Sequence, residues 1–436
     1  MKTGRKLFNM LQTASEAHAR WEIETSTNIL RSRKKLLILL IMCLPVLAFL
    51  GYSWAAGDVL GGKKAYAPAF YSTSIFIVTI FIGMCAGLIT GCIGAGGGFI
   101  ITPALMSAGI KGILAVGTDL FHIFAKAIMG TAVHRKLGNV SVKLALAFLV
   151  GSIAGVVVGG GINRAIYEFN PVMSDLFISL VYVFLLGFLG IYAMTDFLRL
   201  QKAGREHRTL SPDEEKVAKP PTPATTGLAQ KLQAVKVPPV ITFDEDVVPG
   251  GNRISGVFVA ICGAFVGLVA AIMGVGGGFL TFPIFVYILG VSSFTTVGTD
   301  ILQIIFTAGF AAISQYAIYG FIFYTLALGM LLGSLLGIQI GALTTKVVKG
   351  IYIRGFYAIA ILAGFINRLF ALPSKLSAME YISISKGLAR TIDFIGLLIF
   401  FLIVSVFAIW VFAMFFKNLG KLKGQEKPAK LAEEVG

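Results

Sequence analysis

Apolar residues are gathered along the chain into uninterrupted stretches, several as long as the roughly 20 residues that a membrane-spanning helix needs. They fall near 36–56, 71–93, 97–109, 113–133, 142–162 and 175–198, and again near 254–273, 277–290, 294–317, 321–345, 350–371 and 392–416. The pattern predicts an all-α, polytopic integral membrane protein. Between the two sets, residues 199–252 hold Pro220, Pro221, Pro223, Pro238, Pro239 and Pro249, with acidic clusters at Asp213, Glu214, Glu215 and at Asp244, Glu245, Asp246. Such a segment cannot bury enough surface to fold alone and reads as a polar interdomain linker. Residues 1–35 mix Leu7, Phe8, Met10, Leu11 and Trp21 with a basic cluster at Arg31, Arg33, Lys34 and Lys35. That suits either a helix lying on an anionic leaflet or a solvated tail. This stretch is too long for the charged region of a signal peptide, so the first apolar run is expected to stay as a helix.

The two sets are copies of one another. Gly87-Leu-Ile-Thr-Gly-Cys-Ile-Gly-Ala-Gly-Gly-Gly-Phe99 aligns with Gly267-Leu-Val-Ala-Ala-Ile-Met-Gly-Val-Gly-Gly-Gly-Phe279. Downstream, Pro103 aligns with Pro283, Gly117-Thr118-Asp119 with Gly298-Thr299-Asp300, Gly138 with Gly320, and Gly151, Gly155, Gly159 with Gly333, Gly337, Gly341. The resulting organisation is a basic or amphipathic segment (1–35), an extra helix and loop (36–70), a first repeat (71–198), the linker (199–252), a second repeat (253–372), and an extra helix with a basic tail (373–436).

Composition sharpens the class. Of 436 residues, 56% are apolar and 13% charged, against about 25% charged in soluble domains, which excludes a soluble globular enzyme. The net charge of +16 would suggest nucleic acid in a soluble chain. Here Lys and Arg sit between apolar runs, where the positive-inside rule puts them, so the charge reports topology. If every segment spans, the N-terminus, the Arg135-Lys136-Lys143 loop, the linker, the Lys346-Lys349 turn and the Lys417, Lys421, Lys423 tail share one side, the cytoplasm. The repeats are then inverted, as in many secondary transporters. If 97–109 and 277–290 are instead re-entrant hairpins, the linker moves outside and the repeats become parallel. Cys43, Cys85, Cys92 and Cys262 lie in apolar segments without C-x-x-C spacing, so neither a disulfide framework nor a zinc site is indicated, and no cofactor is implied.

Each repeat carries a glycine break, Gly94-Ala-Gly96-Gly97-Gly98 and Gly274-Val-Gly276-Gly277-Gly278. Adjacent glycines inside a membrane interrupt a helix, and irregular backbone at that depth is tolerated only where protein buries it or a wet cavity is lined. Two such breaks are expected to meet near the midplane. Backbone N–H groups there, with the N-terminus of the short helix that follows, suit an anion. Close helix packing is the alternative, and it is the reading for Gly151, Gly155, Gly159 and their copies. Phe99 and Phe279, directly after the breaks, are candidate gates.

Asp119 and Asp300 lie in apolar runs at equivalent places, which raises a functional hypothesis because intramembrane charge is expensive. Asp119, His122 and Lys126 share one helical face, and the second repeat has Asp300, Gln303 and Thr307 instead. The first set can carry protons or attract an anion. The alternatives are an Asp119 to Lys126 ion pair, or capping of broken helix ends through Thr118 and Thr299. Gln315, Gln339, Asn367 and Arg368 read as helix-to-helix hydrogen bonders or interfacial groups, and the aromatic abundance as mostly bilayer-facing bulk.

With its paired G-A-G-G-G-F-x3-P and G-V-G-G-G-F-x3-P motifs, each followed by G-T-D, the sequence resembles the TauE/SafE family of sulfite exporters, also described as the 4-toluene sulfonate uptake permease family. The resemblance covers roughly residues 72–372. It implies a bacterial inner-membrane secondary transporter for sulfite, sulfoacetate, thiosulfate or a related organosulfonate, usually without ATP and in either direction, while the paired breaks and repeats suggest alternating access. On that reading the substrate contacts are Gly94, Gly96, Gly97, Gly98, Phe99, Thr118, Gly274, Gly276, Gly277, Gly278, Phe279 and Thr299. Asp119, His122, Lys126, Asp300 and Gln303 handle a proton or charge. The expected partners are a small sulfur-containing anion, the lipid bilayer and a proton, without nucleic acid; the oligomeric state stays open, a dimer included. Two rival readings are a membrane-embedded sulfur-transfer or redox protein using Cys92, and a non-transporting scaffold.

Overall fold

The computed structural model describes residues 73–93, 97–134, 141–209, 227–235, 237–244, 251–344, 348 and 350–418. The expectations for 1–35 and 36–70, for Gly94, Gly96, Cys43, Arg135, Lys136, Lys346, Lys349 and the tail beyond 418 lie outside those residues. The first repeat comprises α1 (Thr73–Ile93), α2 (Gly98–Ser107), α3 (Gly112–His134), α4 (Val142–Phe169) and α5 (Pro171–Thr209). After it come α6 (Gly227–Ala234) and an antiparallel hairpin of β1 (Val240–Phe243) and β2 (Asn252–Ser255), with Val240 opposite Ser255 and Phe243 opposite Asn252. The second repeat comprises α7 (Gly256–Met273), α8 (Gly278–Pro283), α9 (Ser293–Phe310), α10 (Tyr324–Thr344) and α11 (Gly350–Ala378), and α12 (Lys386–Lys417) follows. Among the described residues seven helices, α1, α4, α5, α7, α10, α11 and α12, are long and apolar enough to cross a membrane. The fold is all-α and polytopic apart from the small hairpin.

Local chemistry sets the boundaries. The Asn170 side chain accepts the N–H groups of Val172 (2.8 Å) and Met173 (3.2 Å), with Pro171 at the first helical position, where a missing N–H costs nothing. Ser255, Ser292 and Ser385 cap α7, α9 and α12 in the same way, accepting from Val257, Thr295 and Leu388. α2 is only ten residues, about 15 Å at 1.5 Å per residue, half the thickness of a bilayer core.

Two unbroken helix pairs frame the molecule, and small residues let them approach backbone to backbone. An added Cβ on Gly155 would stand 2.7 Å from the Leu268 amide nitrogen, and one on Gly337 would stand 2.7 Å from that of Leu88. Gly151, Gly155 and Gly159 meet Ala260, Ala264 and Leu268 in turn, so α4 and α7 run parallel. Gly333, Gly337 and Gly341 meet Ile80, Met84 and Leu88, so α10 and α1 also run parallel. Each pair joins the first helix of one repeat to the fourth of the other. The remaining equivalents cross in opposite directions. Gly117 lies beside Tyr316 and Phe124 beside Gly309, and Gly187, Gly190 and Phe197 meet Phe365, Leu362 and Gly355.

The repeat offset drifts. Equivalent numbers differ by 180 at Gly97/Gly277 and Pro103/Pro283, by 181 at Gly117/Gly298, and by 182 from Gly138/Gly320 onward. Each extra residue falls where the second repeat has a π-helical turn, Ile284–Leu289 and then Ala311–Ala317. A π turn absorbs one additional residue while keeping the helix continuous, which is how the duplicated positions stay in register.

Part of the polar linker, read as unable to fold alone, has structure of its own. α5 continues to Thr209, and Ala229, Ile241, Phe243 and Ile254 are buried. The segment does not fold alone: it borrows apolar surface from the membrane helices, against which Phe243, Ile254 and Leu232 pack. That surface is invisible to a reading of local composition.

Candidate functional site

The breaks arise where glycine takes a conformation that other residues resist. Gly97, before α2, has φ 72°, and Gly277, before α8, has φ 88°, both left-handed. An added Cβ on Gly97 would stand 2.8 Å from both the Ala86 carbonyl and the Thr90 hydroxyl. The two breaks are seated against each other. A Cβ on Gly98 would stand 2.8 Å from the Val275 Cα, and one on Gly276 would stand 2.7 Å from Ile123 Cγ2. The Phe99 and Phe279 ring centroids are 6.2 Å apart, and Tyr357 meets Phe99 edge-on at 5.7 Å. Phe99 and Phe279 are both buried.

The last turn of a helix leaves carbonyls without partners within the helix. At the end of α7 these are met by side chains from other elements. Tyr316 donates its hydroxyl to the Ala271 carbonyl, Asn163 Nδ2 donates to Ile272 at 3.4 Å, and the Tyr182 hydroxyl donates to Met273 at 2.6 Å. Asn163 Nδ2 also donates to the Tyr316 oxygen at 3.0 Å. These three residues were missed from the sequence. Tyr182 and Tyr316 are buried, unlike Phe184, Phe188 and the other exposed aromatic residues. Only their hydroxyls inside apolar runs distinguish them from packing residues.

Asp119 and Asp300 are both buried, in different company. Asp119 Oδ2 accepts from the Thr102 hydroxyl at 2.9 Å. Its Oδ1 lies 3.7 Å from His122 Nδ1, and neither atom has a hydrogen-bond partner among the described residues. His122 Nε2 is 3.0 Å from Ser334 Oγ. Lys126, read as a partner for Asp119, donates to the Thr90 hydroxyl at 3.3 Å. In the second repeat Gln303 Nε2 donates to Asp300 Oδ1 at 2.7 Å, and Thr307 donates to Gln303 Oε1 at 2.9 Å. Thr307 and Ser152 hydroxyls are 2.9 Å apart, extending that chain to α4.

The hydroxyls of Thr118 and Thr299 reach across to the opposite repeat. The Thr118 hydroxyl accepts the Phe323 N–H and the Thr299 hydroxyl accepts the Ser141 N–H, each at 3.0 Å. Those amides lie at the starts of α10 and α4, so the threonines cap helices of the opposite repeat. Arg368 is buried rather than interfacial. It donates to the Pro103 carbonyl (3.2 Å), Ser107 Oγ (2.6 Å) and Asn367 Oδ1 (2.6 Å), tying the end of α2 to α11. Gln315 Oε1 accepts from Arg164 at 2.6 Å. The Cys92 thiol is 3.5 Å from the Gly341 carbonyl, to which it donates. Among the described residues no cluster of His, Cys, Asp or Glu has metal-site geometry.

A profile described as Sulfite exporter TauE/SafE matches residues 79–368, spanning both breaks, both aspartates and both unbroken helix pairs. The chain belongs to the TauE/SafE family. Two curated Bacillus subtilis (strain 168) proteins are similar to this TauE/SafE chain. The probable membrane transporter protein YjnA is 26% identical over 273 residues, 62% of this chain and 89% of the relative. The probable membrane transporter protein YunE is 24% identical over 276 residues, 61% of this chain and 87% of the relative. No solved structure matches significantly. The family makes this a multi-pass membrane transporter; the matched region stops short of α12 and includes the folded linker.

Proposed function

We propose that this TauE/SafE protein is a secondary transporter that carries a sulfur-containing anion, sulfite, sulfoacetate or another organosulfonate, across the bacterial inner membrane, with export favoured. The observation that carries the reading is the pairing of two glycine breaks, seated against each other and each supported by a buried aspartate network. Around a bound anion the glycine N–H groups and the N-terminal end of α2 supply positive potential without a mobile cation. Phe99 and Phe279 close the space between the breaks when no substrate separates them.

Alternating access needs two states related by exchange of the repeats, and inverted repeats provide this. The antiparallel crossing of α3 with α9 and of α5 with α11, beside the parallel pairs α1/α10 and α4/α7, supports that topology. With it the Lys143 end of α4, the linker and the tail share the cytoplasmic side.

Proton handling is assigned to Asp119 with His122. Their facing Oδ1 and Nδ1 atoms are 3.7 Å apart, so a small approach brings them into hydrogen-bond range and lets a proton pass. Gln303 cannot titrate, so Asp300 has no neighbouring imidazole with which to exchange a proton. The test is sulfite flux in Gly98→Ala and Gly278→Ala, which wedge a methyl into the breaks at non-strained positions. Loss of flux in inserted protein supports the site; wild-type flux in both removes it.

A further inference from the structure

The turns that follow the two short helices are equivalent in the repeat, yet only one is covered. Gly109 ends the turn after α2 with φ 89°, is exposed, and has nothing within 4 Å of where a Cβ would stand. Gly290, its counterpart, has φ 73° and is buried, with Ala229 Cβ 3.1 Å and Gln233 Nε2 2.6 Å from the same point. Both covering residues belong to α6. Gln233 Nε2 also donates to the Leu289 carbonyl at 2.8 Å.

The helix starts just beyond these turns repeat the contrast. At α3 the Gly112 N–H donates to Asp175 Oδ1 at 2.7 Å, a carboxylate from membrane helix α5. At α9 the Ser292 N–H and hydroxyl donate to Asp244 Oδ2 (2.8 Å) and Oδ1 (2.6 Å), a carboxylate from the linker. Asp244 is buried and sits at φ 57°, in the left-handed region. The linker therefore covers the turn and clamps the first turn of the helix that carries Asp300, where the first repeat uses its own membrane helix and leaves the turn open.

We propose that α6, the β1–β2 hairpin and Asp244 form a lid over this end of the second repeat, and that the lid must lift for the buried face of α9 to reach water. The placement of that end in the cytoplasm rests on the transport reading above; the lid contacts do not. α6 seals the turn through Ala229 and Gln233, Asp244 holds the helix start, and the hairpin anchors both to α4 and α7. Release gives the second repeat the open turn that the first already has.

Amide hydrogen exchange on the full chain in lipid nanodiscs tests this without any substrate. In Gln233→Ala/Asp244→Ala, exchange at residues 299–303 rises by at least about tenfold as the lid opens. A rise confined to 289–293, the residues the lid touches, overturns the proposal. Should that double variant fail to fold, an Ala229→Cys/Gly290→Cys chain with the native cysteines replaced by alanine closes the lid covalently. Oxidation then slows exchange at 299–303 and reductant restores it; equal exchange in both states overturns the lid. Sulfite flux in the same sample falls on oxidation. A wild-type chain that carries no sulfite contradicts the proposed function and leaves the exchange result to decide the lid.

Discussion

The Thr102 hydroxyl donates to Asp119 at 2.9 Å, and the same oxygen stands 2.9 Å from the place a Cβ would take on Gly274. One side chain thus joins the aspartate of the first repeat to the glycine break of the second. Thr102→Val keeps the volume and removes the donor, leaving a buried carboxylate oxygen unpaired at about 1–3 kcal/mol. A lower melting temperature together with slower flux per folded molecule is expected, read by a thermal scan and by transport in the same preparation.

Asp119 and Asp300 should not respond alike. Asp119→Asn removes the titratable partner of His122, and gradient-driven accumulation is lost while exchange down a concentration gradient persists. Asp300→Asn removes a carboxylate whose network partners, Gln303, Thr307 and Ser152, are neutral and cannot take its proton, so gradient dependence survives with reduced turnover. Equal loss of gradient dependence in both variants would count against this division of roles.

Thr118 and Thr299 are candidate substrate contacts whose hydroxyls receive backbone N–H groups of the opposite repeat, which supports a capping role for them. Thr118→Val leaves the buried Phe323 amide unsatisfied at about 1–3 kcal/mol, and Thr299→Val costs less because the Ser141 amide is only partly buried. The substrate concentration for half-maximal flux is expected to stay at the wild-type value in the protein that folds. A large increase in that concentration would return the threonines to the binding site.

Glycines that look alike in the sequence are predicted to differ. Gly155→Leu and Gly337→Leu drive a side chain into the backbone of the facing helix and prevent recovery of folded protein. Gly161, in the same helix as Gly155, has nothing within 4 Å of an added Cβ, so Gly161→Ala is tolerated and stabilises by about 0.4–1 kcal/mol. Yield of monodisperse protein and its melting temperature distinguish the two classes.

Much of the architecture was readable because hydropathy and duplication are properties of the chain itself. Apart from α6 in the linker, the helices follow the apolar runs, and the breaks follow adjacent glycines. What escaped notice depends on distant partners. Tyr182 caps Met273 across 91 positions and Asn163 meets Tyr316 across 153, so nothing near either residue in sequence announces the contact. For Arg368 the sequence left helix-to-helix hydrogen bonding and an interfacial position both open, because the partners that decide for the first, Ser107 and Pro103, belong to α2, more than 250 residues earlier. The linker's fold was hidden for the same reason: its apolar residues are too few to form a core, yet enough to cover one that already exists.

The central claim is a proton-linked carrier of a sulfur-containing anion built on paired glycine breaks. The direct measurement is movement of radiolabelled sulfite, then sulfoacetate and taurine, in proteoliposomes with an imposed pH gradient. The account predicts accumulation that follows the gradient and vanishes in Asp119→Asn. Flux that ignores the gradient in wild-type protein, or no movement of any of the three anions, would contradict it.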